Sequence, residues 1–264
     1  MSNNPYMPFK STILEIIKHT DIEYTFRMSF KGEVKPGQFF EVSLPKYGEA
    51  PISVSGIGEN HIDLTIRRVG VVTEEIHNFH PGQILFLRGP YGNGFDLELY
   101  KEKEIIVAAG GTGLSPVRGI VEYFAENPQE VKGFSLLVGF KSPSDILFKE
   151  DLELWKKSIN LVLTVDKAEE GYEGNTGLIT NYVKEVEIKD IEKAQVIVVG
   201  PPIMMKFTVA EFLKRGIKEE NIWISQERKM CCGLGKCGHC KIDDTYICLE
   251  GPVFNYIKGK TLID

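Results

Sequence analysis

The order of apolar and polar positions changes character twice along the chain. Before Lys101, alternating or β-branched runs occur at Ser11–Lys18, Ile22–Phe30, Gln38–Leu44, His61–Val69 and Ile84–Leu87. Turn-forming segments such as Lys35-Pro36-Gly37 and His80-Pro81-Gly82 lie between them. Short period-two runs bounded by Pro-Gly turns predict half-buried strands, and several at this spacing predict a small antiparallel barrel or sandwich. One short helix is expected over Thr73–Phe79, with Thr73 as N-cap and Glu74 and Glu75 in its first turn.

From Lys101 the runs become wholly apolar: Ile105–Ala109, Ser135–Phe140, Asn160–Val165, Val196–Val199 and Ile222–Ser225. Stretches at helical spacing separate them, at Pro116–Glu126, Asp145–Lys157, Leu178–Val186 and Ile203–Arg215. Apolar strands alternating with amphipathic helices predict an open parallel sheet covered on both faces. Beyond Ser225 both patterns stop and a Gly/Cys-rich segment follows. The expected organisation is α/β plus β: an N-terminal antiparallel β-barrel over residues 1–98, an open α/β sheet over 99–224 and a small metal module over 225–264.

Length and charge narrow the function. A chain of 264 residues suits about two ordinary domains. With 31 basic and 37 acidic residues the net charge is −6, which argues against a protein built to grip nucleic acid backbones. No run of apolar residues approaches a membrane span, and the opening Met1-Ser2-Asn3-Asn4-Pro5-Tyr6 lacks the basic-then-apolar pattern of an export signal. A cytoplasmic protein is expected, neither inserted in a membrane nor bound to nucleic acid.

All five cysteines fall between Cys231 and Cys248, a clustering that points to metal ligation before disulfides. Counting from Cys232, the spacing to Cys237 and Cys240 is C-x4-C-x2-C, with seven residues between Cys240 and Cys248. This is the plant-type [2Fe–2S] spacing. Gly233, Gly235 and Gly238 would let the loop wrap closely and aim amides at sulfur. Ile224–Asp264 carries six basic and five acidic residues, so the expected anionic centre sits in the least acidic part of the chain. A four-cysteine zinc site, and Cys231 in place of Cys232, are the alternatives.

Two further motifs follow apolar strands. Glu104-Ile105-Ile106-Val107-Ala108-Ala109 runs into Gly110-Gly111-Thr112-Gly113 and a helix near Pro116, a turn through which a backbone can approach a pyrophosphate. Val196–Val199 is broken by Gly200-Pro201 just before the helix that carries Met204. Both turns fall at carboxyl ends of strands, where open sheets bind ligands. Gly139 and Asp145, at and beyond the end of another strand, join the candidate contacts. In the barrel region Gly70 leads into the capped helix and could hold a pyrophosphate, with Arg67 or Arg68 as cation. No G-x-S-x-G, H-E-x-x-H or P-loop occurs, and His19, His61, His77 and His80 show no metal spacing.

Barrel, Gly-Gly-Thr-Gly and Gly-Pro, in that order and spacing, resemble the ferredoxin–NADP reductase superfamily over nearly the whole chain. The resemblance implies FAD against Pro51, Ile52 and Ser53, with Ile66, Arg67 and the Gly70, Val72 and Thr73 stretch holding the rest of it and Arg68 beside them. It implies a nicotinamide dinucleotide with its phosphates at Gly111, Thr112 and Gly113 and its nicotinamide near Gly200, Pro201 and Met204. The family's Arg directly before the Pro51 position is Ala50 here, which leaves Arg67 or Arg68 to compensate. The segment after Phe140, Lys141-Ser142-Pro143-Ser144-Asp145, has no Arg to clamp a 2′-phosphate, so NADH is expected, with Lys141 keeping NADPH possible.

With its C-terminal cysteines the chain is similar to electron-transfer subunits of dihydroorotate dehydrogenase, sulfhydrogenase and anaerobic sulfite reductase. The short gap before Cys248 and Gly251-Pro252-Val253-Phe254 look most like the last two, and the runs Asn4-Pro5-Tyr6 and Thr20–Arg27 most like the sulfite reductase subunit. The resemblance implies hydride from NAD(P)H to FAD, then single electrons through a [2Fe–2S] cluster held by Cys232, Cys237, Cys240 and Cys248. The expected recipients are iron–sulfur or sirohaem subunits of a sulfite reductase complex, with dihydroorotate dehydrogenase or a sulfhydrogenase as the alternative. A zinc-stabilised, nucleotide-binding interaction module is the non-enzymatic alternative.

Overall fold

Residues 4–262 are described in the computed structural model. Backbone contacts divide the chain into two compact units: residues up to Phe95 together with Glu227–Val253, and Asp96–Gln226 together with the segment from Phe254.

In the first unit, strands β1 (Phe9–Lys18), β2 (Glu23–Ser29), β3 (Phe39–Leu44), β4 (Gly48–Ile57), β5 (His61–Arg67) and β6 (Ile84–Tyr91) close into a barrel in the order β1-β2-β5-β4-β3-β6. Every neighbouring pair is antiparallel. Alternate residues point inward, so Phe26, Met28, Phe40, Val42, Leu64 and Ile66 meet in one core. Each such side chain removed from water contributes about 1.5–3 kcal/mol. On β3 the other face carries Phe39, Glu41 and Ser43, and these too are buried.

The sequence pattern misses β4. Its Gly48, Pro51 and Gly56 weaken the strand signal, yet Pro51 pairs with Glu41 and the ladder tolerates a register shift between Val54 and Gly56. The helix expected over Thr73–Phe79 is α1 (Val71–Ile76), capped by Gly70. Thr73 lies inside it, and its Oγ1 accepts from the amides of Val69 and Gly70, both at 3.0 Å.

The second unit holds β7 (Glu104–Gly110), α2 (Leu114–Glu126), β8 (Gly133–Phe140), α3 (Lys149–Trp155), β9 (Asn160–Val165), β10 (Asn175–Thr176), β11 (Gln195–Val199), α4 (Pro202–Lys214) and β12 (Ile222–Ser225). Strand order is β10-β9-β8-β7-β11-β12, parallel throughout, with a short strand over Val253–Asn255 at the far edge. Every residue of β7 and of β11 is buried, as the unbroken apolar runs require. On α2 the buried Leu114, Val117, Val121 and Phe124 recur at helical spacing.

Two expected helices are shorter or tighter. Asp145–Lys157 is cut by Phe148, whose φ of 53° is left-handed, so α3 starts at Lys149. Leu178–Val186 forms a 3₁₀ turn over Ile179–Glu185 instead of an α-helix. In the cysteine segment, β13 (Lys241–Ile242) and β14 (Thr245–Tyr246) form a small hairpin followed by the one-turn helix α5 (Ile247–Glu250).

Candidate functional site

Local geometry of the cysteine loop is set by glycine. Gly233 and Gly235 have φ of 69° and 64°, conformations open to glycine at little cost. Side chains there would also collide: a Cβ on Gly233 would lie 2.5 Å from the Tyr91 ring, and one on Gly235 2.2 Å from Leu249. With the loop so wound, the amides of Leu234 and Lys236 donate to the Cys232 sulfur at 3.3 and 3.4 Å, and that of Gly235 to the Cys248 sulfur at 3.2 Å.

Burial raises the Cys232 pKa, but the amides of Leu234, Lys236 and Cys237 outweigh it and bring the thiol down to about 6. Cys248 has only the Gly235 amide to lower it, and burial with its neighbour Cys240 pushes it up to about 12. Cys232, Cys240 and Cys248 are buried and Cys237 is exposed. Among the described residues no three His, Cys, Asp or Glu side chains close on a single metal ion. The donor set of four thiols with amides aimed at two of them fits an iron–sulfur centre, whose charged sulfurs are hydrogen-bond acceptors. Cys231 is half-buried, and the Leu234 and Lys236 amides choose its neighbour.

The loop is anchored to the barrel by a residue that the motifs leave without a role. Arg88, on β6 and 4% exposed, donates from Nη1 to the carbonyl oxygen of Cys232 and from Nη2 to that of Cys231, both at 3.0 Å. Its Nε and Nη2 form a fork on Glu49 at 2.9 and 2.5 Å, and Nη1 also meets the Tyr91 hydroxyl at 3.0 Å. Ser43 in turn donates to Glu49. The Tyr91 hydroxyl donates to the carbonyl of Pro5, and Lys236 stands 5.7 Å from the centre of the Tyr6 ring. Asn93 holds the far side of the segment, its Nδ2 donating to the carbonyls of Leu249 and Glu250 at 3.0 and 3.3 Å. Beside Arg88 lies Glu41, fully buried, with neither carboxylate oxygen hydrogen-bonded. Burial pushes its pKa up to about 8, against the lowering pull of Arg88.

Pro51 and Ser53 of β4 pair with Glu41 and Phe39 of β3, which places them on the face that carries Glu41. They and Ile52 are half-buried. Ile66 is a core residue of the barrel and its backbone pairs with Tyr24 of β2, so its side chain is turned away from any ligand. Arg67 pairs with Glu23 at 3.3 Å, and Arg68 is exposed. Around the Gly70 turn, Val69 and Val71 are 72% and 67% exposed and a Cβ on Gly70 would meet nothing within 4 Å. Val72 packs on the core. An open glycine turn flanked by apolar side chains and an exposed guanidinium fits part of a flavin nucleotide.

In the second unit the glycine motifs meet at the carboxyl ends of the neighbouring strands β7 and β11. A Cβ on Gly113 would lie 2.6 Å from the Val199 carbonyl, and one on Gly110 2.4 Å from the Met204 sulfur. The turns after β7 and β11 are therefore packed against each other through Gly110 and Gly113, with Thr112 in the turn between these two. Gly111, with φ of 54°, faces open space. Gly110 pairs with Gly139 of β8, and Asp145 lies in the turn beyond, bonded to the Ser142 hydroxyl at 2.7 Å. The first turns of α2 and α4 contain no acidic residue, so both helix starts keep the positive potential that suits phosphate. Pro201, the N-cap of α4, is exposed.

Residues 107–210 match the family of oxidoreductase NAD-binding domains, and residues 227–258 match the iron–sulfur cluster binding domain of dihydroorotate dehydrogenase B. The chain is 36% identical to sulfhydrogenase 2 subunit gamma of Pyrococcus furiosus, covering 96% of each. It belongs to that family of ferredoxin–NADP reductase-like oxidoreductases. A probable dihydroorotate dehydrogenase B (NAD(+)) electron transfer subunit of Methanocaldococcus jannaschii is 33% identical, over 94% of this chain and 89% of the relative. Among solved structures, an NADH-dependent reduced ferredoxin–NADP oxidoreductase superimposes with a TM-score of 0.80 at 22% identity, over 99% of this chain and 93% of the other, a likeness of fold. In this oxidoreductase the motifs at Gly111–Gly113 and Gly200–Met204 fall inside the NAD-binding match and all five cysteines inside the iron–sulfur match. Arg88, Glu41 and Glu49 carry no motif. The one visible signal, an acid and a base in otherwise apolar strands, does not say where their partners lie.

No helix among the described residues is long and apolar enough to cross a membrane.

Proposed function

We propose that this oxidoreductase is the electron-entry subunit of a larger complex, taking NADH and FAD and holding a [2Fe–2S] cluster on Cys232, Cys237, Cys240 and Cys248. The observation that carries the reading is the set of Leu234, Gly235 and Lys236 amides aimed at the sulfurs of Cys232 and Cys248. When bound, the nicotinamide supplies two electrons as hydride, the flavin exchanges in ones and twos, and the cluster passes one at a time.

The chain's own part is positional. Gly111–Gly113 admit the dinucleotide's phosphates to the start of α2, while Gly200 and Met204 border its nicotinamide end, with Gly139 and Asp145 at the adjoining strand end. Pro51–Ser53 and the Gly70–Thr73 turn, with Arg67 and Arg68, border FAD. Glycines in the cysteine loop bring amides rather than side chains to sulfur, which stabilises the thiolate form of Cys232. No side-chain acid or base is needed for the electron steps. The domain division proposed is FAD-binding barrel 1–98, NAD-binding sheet 99–224 and cluster module 225–264.

The partner proposed is an enzyme of the sulfhydrogenase or dihydroorotate dehydrogenase type, supported by relatives of both names that match over most of their length. Sirohaem sulfite reductase is the second reading, supported by the likeness of the runs Asn4-Pro5-Tyr6 and Thr20–Arg27 to that enzyme's electron-transfer subunit. Chain purified without oxygen should contain iron, acid-labile sulfide and FAD, and NADH should bleach the flavin and cluster absorption. A colourless preparation, or one containing zinc in place of iron, overturns the proposal. Reduction of candidate partner complexes by NADH through this chain separates the two partner readings.

A further inference from the structure

The guanidinium of Arg88 touches both peptide groups that flank Cys232. The Cys231 carbonyl belongs to the peptide plane before the Cys232 Cα, and the Cys232 carbonyl to the plane after it; each accepts from Arg88 at 3.0 Å. Because peptide units are rigid, pinning both planes fixes φ and ψ of Cys232, and with them the direction of its Cα–Cβ bond. The same pinning holds the chain entering the turn whose Leu234 and Lys236 amides bond that sulfur.

Arg88 is itself immobilised. Its five N–H donors meet five acceptors: two oxygens of Glu49, the Tyr91 hydroxyl and the two carbonyls. Cys231 and Cys232 lie 143 and 144 positions beyond Arg88 in sequence.

We propose that Arg88 is the positioning residue of the iron–sulfur ligand loop, fixing the orientation of the Cys232 thiolate and thereby the electronic structure and reduction potential of the centre. This rests on the reading above that Cys232 is a cluster ligand. Arg88 does not touch the reacting atoms; it acts through the peptide groups around Cys232. A lysine has the charge but only three donors on a single nitrogen and cannot span the Glu49 fork and both carbonyls.

The test compares full-length wild type with R88K and with the charge-balanced double variant R88M/E49Q, which removes both members of the Arg88–Glu49 pair and so guards against misfolding. The reduced centre is read by electron paramagnetic resonance and redox titration, and amide exchange is followed at Leu234 and Lys236. Expected are altered g-values and a displaced midpoint potential in both variants, with exchange at both amides at least tenfold faster. Wild-type spectra, potential and exchange in both variants overturn the proposal. A wild-type chain holding zinc defeats the proposed function instead, and amide exchange in R88K then still decides the role of Arg88.

Discussion

Glu41 and Arg88 face each other across the β3–β6 ladder and share no hydrogen bond. The guanidinium is engaged by Glu49, Tyr91 and the cysteine loop, so the carboxyl opposite it lies fully buried with both oxygens unmatched. Such a group favours its neutral form.

That carboxyl sets a pH dependence. The pKa of Glu41 rises from an ordinary 4.5 to about 8 on folding, mainly through burial. Between those values the folded chain keeps a proton that the unfolded chain has lost, so stability falls as pH rises through this window, by up to about 1.4 kcal/mol for each pH unit crossed. Glu41→Gln should remove the slope. Melting curves of wild type and E41Q should converge near pH 5 and separate toward pH 8, with E41Q melting higher; parallel curves would contradict the assignment.

Cysteine replacements test the proposed ligand set. Serine at Cys232, Cys237, Cys240 or Cys248 should each cost most of the bound iron, whereas Cys231→Ser should keep it. Iron and sulfide analysis of the five variants, with the resonance signal of each reduced chain, provides the measurement.

The glycine turns in the NAD-binding unit divide by what surrounds them. Gly113→Ala forces a methyl to within 2.6 Å of the Val199 carbonyl, and overpacking of this kind costs about 1–3 kcal/mol. It should lower Tm and weaken NADH binding together. Gly111→Ala meets open space and incurs only the strain of its left-handed φ, about 1 kcal/mol. Its Cβ would intrude where phosphate is expected, so KM for NADH should rise at least fivefold with the fold intact.

Dinucleotide choice follows from the turn beyond β8. Ser142 is bonded to Asp145, and no Arg stands between Phe140 and Ile146 to receive a 2′-phosphate. A kcat/KM at least tenfold higher for NADH than for NADPH is expected, with Lys141→Ala depressing the NADPH value further.

Legibility in the sequence tracked how local each determinant is. The apolar runs at Ile105–Ala109 and Val196–Val199 read directly as buried parallel strands, because burial on both faces leaves no polar position. The cysteine spacing and the glycine turns could be read for the same reason: each motif is complete within a few residues. Strand β4 stayed hidden because Gly48, Pro51 and Gly56 are poor strand formers, held in place by β3 and β5. Phe148 broke a helix through one left-handed residue that no local signal marks. The role of Arg88 was invisible because its partners at Cys231 and Cys232 lie far along the chain.

The barrel and the cysteine loop form one unit although the entire NAD-binding segment separates them in sequence. On the ribosome, then, the barrel strands emerge long before the loop that covers Arg88 and Glu41, and that face must wait with its charged pair unsheltered until Glu227–Val253 is made. A nascent chain stalled after β12 should therefore expose Arg88 to chaperones and proteases, and the cysteine loop can close on the barrel only once Glu227–Val253 has been synthesised.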